Sequence, residues 1–111
     1  MSQYILAFKG GKEPQTEEAI AECMGKWNAW FEKIGSKIAN PGKPSRGSKT
    51  VTSTGIEDTD SASPITGFTI IEAENIDQAI QCAQSNPHLE YGGTVEVAEL
   101  YDIPGATCEA L

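Results

Sequence analysis

Five large apolar side chains, Ile20, Met24, Trp27, Phe31 and Ile34, recur in this chain at spacings of four, three, four and three. That rhythm is the buried stripe of an amphipathic helix, and Cys23 and Trp30 widen it. Such a face has to be buried against another layer, so the stripe commits the chain to a packed, layered domain. Thr16 stands where an N-cap is needed, Glu17 and Glu18 put negative charge in the first turn, and Gly35 supplies a left-handed C′ residue. Glu22 and Lys26 form an exposed i,i+4 pair.

The other layer is a sheet. Tyr4-Ile-Leu-Ala-Phe8 is short, apolar and closed by Gly10-Gly11, which suits a buried central strand. Between residues 36 and 67 the pattern weakens, punctuated by Pro41, Gly42, Pro44, Gly47 and Pro64. Within it, Lys49-Thr-Val-Thr-Ser-Thr54 has the β-branched content of a strand, and Gly55 to Thr66 reads as a long polar loop. Phe68-Thr-Ile-Ile-Glu-Ala73 is a further strand. Asn75 and Gln78 then take the two polar positions of a capping box, opening a helix on Ile76, Ala79, Ile80 and Ala83 that Asn86-Pro87 stops. Thr94 to Tyr101 alternates as a strand does, and from Asp102 the tail reads as loose.

The order is β, α, β, β, α, β, an α+β chain of ferredoxin-like design with both helices on one side of a four-stranded antiparallel sheet. One domain over residues 1–111 is what this length supports. The strands offer apolar residues to both sheet faces, and two helices cover only one. A second copy is therefore expected on the bare face, giving a homodimer of sheets stacked face to face, a dimeric α/β barrel.

Charge narrows the partners. Residues 1–50 carry all eight basic and five acidic groups, whereas residues 51–111 carry eleven acidic groups and no basic one. With a formal net charge of −8, a concentrated basic face for phosphate backbones is not expected, so nucleic acid is excluded as a partner. The apolar run from Tyr4 to Phe8 is far below the roughly 18 residues that span a bilayer and follows no basic segment, so no membrane partner is expected. Cys23, Cys82 and Cys108 are odd in number, far apart and form no CxxC pair. They read as reduced thiols of a cytoplasmic protein, and no metal or organic cofactor is implied.

His88 is the only histidine, set after the helix stop and beside Glu90. Imidazole titrates near neutrality and can move a proton, which makes His88 the catalytic candidate, aided by Asp60 or Tyr91. The alternative is a ring that caps the second helix or bonds a backbone carbonyl. Lys43-Pro-Ser-Arg46-Gly-Ser-Lys49 gathers three cations in a Gly/Ser loop where Arg46 could hold an anionic ligand, or it is a solvated turn. Trp27, Trp30 and Phe31 have the spacing of core residues, with Trp30, beside the main stripe, placed to face a cleft and bind a ligand.

The segments Gly67-Phe-Thr-Ile-Ile-Glu-Ala73, Asp77-Gln-Ala-Ile80 and Pro87-His-Leu-Glu-Tyr-Gly-Gly-Thr-Val-Glu-Val97 resemble the C-terminal half of the YCII-related family, including its DGPF relatives. The resemblance implies a dimeric α/β barrel of ferredoxin-like subunits, His88 as the histidine typical of its position, and a small-molecule enzyme, some relatives being implicated in turnover of chlorinated aromatics. Two features depart from the family. Where the DGPF branch has Thr-Asp-Gly-Pro-Phe, this chain reads Thr59-Asp60-Ser-Ala-Ser-Pro64, and the histidine another branch carries near its first helix is absent. Three classes stay open: an enzyme using His88 as acid or base on a small aromatic or anionic metabolite, a non-catalytic ligand-binding module, and a dimerisation domain.

Overall fold

The computed structural model describes residues 1–58 and 64–104. Strand β1 (Ser2–Gly10) leads into helix α1 (Glu17–Ile34), then β2 (Ile38–Asn40), β3 (Lys49–Thr52), β4 (Gly55–Asp58), β5 (Ile65–Ala73), helix α2 (Ile76–Gln84) and β6 (Gly93–Leu100). The main sheet has the antiparallel order β2-β5-β1-β6, the ferredoxin-like arrangement in which β1 and β5 are central.

Local chemistry sets the helix ends. Thr16 Oγ1 accepts from the Ala19 amide at 3.0 Å, and Asn75 Oδ1 accepts from the Gln78 amide at 2.9 Å. The Gln78 side chain returns a bond one residue before the cap, accepting from the Glu74 amide at 2.9 Å. Gly35 ends α1 at φ 59° and ψ −122°, a positive-φ turn outside the left-handed helical basin expected of it.

Strict alternation divides the two sheet faces. Tyr4, Leu6 and Phe8 of β1 and Thr69, Ile71 and Ala73 of β5 are buried beneath Trp30 and Ile34 of α1 and Ala79, Cys82 and Ala83 of α2. Burying Leu6 or Ile71 contributes on the order of 1.5–3 kcal/mol each. Thr69 is also enclosed, because its hydroxyl donates to the Pro41 carbonyl at 3.0 Å. The opposite face presents Ile5, Ala7, Phe68 and Ile70, half-buried, with Ala98 and Leu100 exposed, and among the described residues no helix lies over it.

One strand is not where the β-branched run suggested. The edge position beside β5 belongs to Ile38–Asn40, which pairs Ile38 with Ile71. Lys49–Thr52 instead turns back on Gly55–Asp58 as a separate two-stranded hairpin, so part of the expected polar loop is a strand. Ile38 arrives at the sheet immediately after α1 and its 3₁₀ turn (Gly35–Lys37) with an apolar side chain to pack, whereas Lys49–Thr52 offers only Val51. Between them the segment 41–46 is strapped across β5: the Ser45 amide donates to the Thr66 carbonyl at 2.9 Å, and Pro44 bridges Gly67. Gly42 (φ +73°) allows this approach, since a Cβ there would lie 1.6 Å from the Phe68 carbonyl oxygen.

Of the tail expected to be loose, Asp102–Pro104 is irregular and exposed, and the rest lies outside the described residues.

Candidate functional site

At the end of the sheet where β1 runs out at Gly10 and β5 begins, α1, the strap 41–46 and a 3₁₀ turn (Pro87–Tyr91) enclose a cleft with two lobes. The mouth, about 640 Å³, carries Lys12, Glu13, Arg46 and Tyr91. The inner lobe, about 450 Å³, is walled by Phe8, Met24, Phe31 and Pro41. Trp27, Pro44, Thr66 and His88 border both lobes, so His88 stands where an apolar chamber meets a polar, cation-bearing entrance.

The His88 backbone is set by the turn it occupies. Asn86 Oδ1 accepts from the His88 amide at 2.8 Å, Pro87 starts the turn, and Gly92 (φ +80°) closes it by donating to the His88 and Leu89 carbonyls. The ring is held as closely. Its Nε2 lies 2.9 Å from the Lys9 carbonyl oxygen, which can only accept, so Nε2 carries the hydrogen and Nδ1 of the neutral ring keeps the lone pair. Phe8 meets the ring edge-on with centroids 5.6 Å apart. Two glycines close on it: a Cβ at Gly93 would sit 2.0 Å from Nε2, and one at Gly11 2.8 Å from Cε1. Among the described residues Nδ1 has no hydrogen-bond partner.

Around Tyr91 the electrostatics are specific. Burial pushes the Tyr91 phenol above its ordinary range, reinforced by a hydrogen bond with the Cys23 thiol, while Lys26 opposes the shift. The Lys26 ammonium lies 5.6 Å from the Tyr91 ring centroid and 3.5 Å from Glu90, and Glu90 foremost raises its pKa. Tyr91 therefore faces the mouth as a neutral phenol.

His88, Arg46 and Tyr91 line the same mouth. Asp60 lies outside the described residues. Trp30 is not brought to the His88 cleft: it is 3% exposed, its indole Nε1 donates to the Cys82 carbonyl at 3.0 Å, tying α1 to α2, and it borders a separate cavity of about 420 Å³ with Lys33 and Gln84. The tryptophan of the cleft is Trp27, one turn earlier, in edge contact with Phe8 at 5.1 Å. The loop from Lys43 to Lys49 also divides, since Arg46 serves the mouth, Lys43 lines the inner lobe and Lys49 pairs with Asp58 in the hairpin. Gly11 and Gly93, in glycine pairs at 10–11 and 92–93, are the residues that pack against the imidazole, a contact that residue type alone does not signal.

Fold and cleft together define a ferredoxin-like α+β chain with its concavity at one end of the sheet. Among solved structures it is similar to the 5-chloro-2-hydroxyhydroquinone dehydrochlorinase of Burkholderia phenoliruptrix AC1100 in complex with 2,5-dihydroxybenzoquinone, with TM-score 0.53 and 20% identity over 90% of this chain and 96% of that one. No protein-family model matches the chain, and no curated protein does. Among the described residues no helix is long and apolar enough to cross a membrane.

Proposed function

We propose that this chain is a YCII-type small-molecule enzyme, acting as a homodimer in the cytoplasm, in which His88 moves a proton to or from a compact aromatic or anionic metabolite. The observation that carries this reading is the position of His88 between the two lobes, with Nε2–H bonded to the Lys9 carbonyl and Nδ1 left as the base. An aromatic ring fits the lobe lined by Phe8, Trp27 and Phe31, and Arg46 or Lys12 at the mouth suits an oxygen that becomes negative once its proton leaves. The neutral phenol of Tyr91 is a donor for the same oxygen, and Asp60 is the proposed proton partner.

Several further observations support the reading. The similar dehydrochlorinase acts on a small hydroxylated aromatic. The bare face bearing Ile5, Phe68 and Ile70 calls for a second copy, and the free thiols of Cys23 and Cys82 suit a reducing compartment.

A thermal-shift series with small phenols and aromatic acids tests it. A ligand at 100 times its Kd stabilises the native state by about 2.7 kcal/mol, a shift of several degrees. Aromatic acids are expected to raise the melting temperature of the wild type and to do so less for Arg46→Ala. The conversion of the bound compound, followed by NMR, is expected to stop in His88→Gln. The proposal fails when no compound of either class shifts the melt, or when His88→Gln converts the ligand as fast as the wild type.

A further inference from the structure

Among the described residues, none forms a layer beneath the hairpin of β3 and β4. All eight residues of its two strands are exposed, and a lone two-stranded hairpin is marginal in water. On one face, Val51 and Ile56 sit directly opposite each other in the ladder, 75% and 73% exposed. Both outer edges of such a hairpin are open to pairing, a liability that chains normally cover. Its root is firm, because Ser45, four residues before β3, is bonded to the Thr66 and Ile65 carbonyls of β5. The hairpin is thus an arm springing from the β5 edge of the sheet.

The size of the bare face indicates what the arm meets. With strands about 4.8 Å apart rising about 3.3 Å per residue, a sheet of strands nine, nine, eight and three residues long covers roughly 450 Å² in plan. Stable specific interfaces bury about 800 Å² of accessible surface on each partner, so a face of this plan area gains from a further contact. A hairpin with four-residue strands adds roughly 130 Å², and in a two-fold pair each copy both extends an arm and receives one, adding roughly 250 Å² per partner. With both arms docked the contact area grows by roughly half.

We propose that the hairpin Lys49–Asp58 is a docking arm that lays its Val51–Ile56 face on a second copy of this chain. The proposal rests on the homodimer reading above. Because the strap that roots the arm also carries Arg46 at the cleft mouth, docking fixes that wall of the cleft from outside the subunit.

Two measurements on the full chain test it. Replacing Ile56 with p-benzoylphenylalanine and irradiating is expected to give a covalent species of twice the chain mass. The double variant Val51→Asp/Ile56→Asp is expected to raise the dimer dissociation constant at least tenfold in analytical ultracentrifugation. Cross-links confined to one chain, with dimerisation unchanged in the double variant, overturn the arm and leave the sheet-to-sheet dimer standing. A wild type that sediments as a single 11.9 kDa chain at micromolar concentration overturns the dimer and the arm together.

Discussion

The turn that carries His88 and the hairpin Lys49–Asp58 are both short, polar and set at the same end of the sheet, yet they are held in opposite ways. Bonds from distant parts of the chain converge on the turn: the Lys9 carbonyl on the ring, the Lys12 amide on the Tyr91 carbonyl at 2.8 Å, and Lys26 on Glu90. In the hairpin, the Lys49–Asp58 ion pair and the bond from the Thr52 hydroxyl to the Gly55 carbonyl join residues no more than nine positions apart. Contacts far apart in sequence over-determine a position, and that is what a catalytic group needs. Local contacts alone leave a unit whose stability has to come from elsewhere.

The sharpest way to break this contrast is to compare Ile71→Ala with Val51→Ala in urea unfolding at one low protein concentration. Ile71 is fully enclosed, so its truncation is expected to cost about 2–5 kcal/mol, against less than about 0.5 kcal/mol for the exposed Val51. Equal costs would mean that the arm belongs to the subunit's own core. Next in size is Gly93→Ala, where the added methyl meets the imidazole and overpacking costs about 1–3 kcal/mol. The His88 ring resonances are expected to shift with it. Gly25→Ala is the matched control: beyond the adjoining residues and the backbone of its own helix, no atom lies within 4 Å of its new Cβ, and the variant is expected to gain about 1 kcal/mol.

The smallest effect concerns alkaline pH. Folding raises the pKa of both Tyr91 and Lys26, so it favours the neutral phenol and the charged ammonium. Their contribution is complete below the ordinary values of about 10 and 10.4 and is lost as pH rises through the folded-state values above them. Thermal melts from pH 8 to 11.5 are expected to fall more steeply for the wild type than for Tyr91→Phe/Lys26→Met. Parallel curves would show that this corner does not strengthen the turn.

The βαββαβ order was legible because the stripe from Ile20 to Ile34 and the alternation in β1, β5 and β6 are long enough for periodicity to show. The fourth strand of the sheet was not. Ile38–Asn40 is three residues long, shorter than any pattern, while the Thr-rich run after Lys49 has the better intrinsic preference and lacks a surface to pack on. His88 was legible as a lone titratable ring after a helix stop. That Trp27 rather than Trp30 reaches the cleft was not, because helical spacing tells which side of α1 is buried but not where along the sheet each ring falls. The glycine pinch on the imidazole depends on β1 and β6 meeting at Gly10 and Gly93, a register that composition does not carry.

The bond from His88 Nε2 to a main-chain oxygen has a last consequence. A proton arriving at Nδ1 turns the ring into a cation without disturbing that bond, which serves imidazole and imidazolium alike. Wedged between Gly11 and Gly93, the ring has no reason to flip or swing as it loads and unloads. In the proposed reaction the ring would begin each cycle already aimed, so little of the barrier would be its own reorientation.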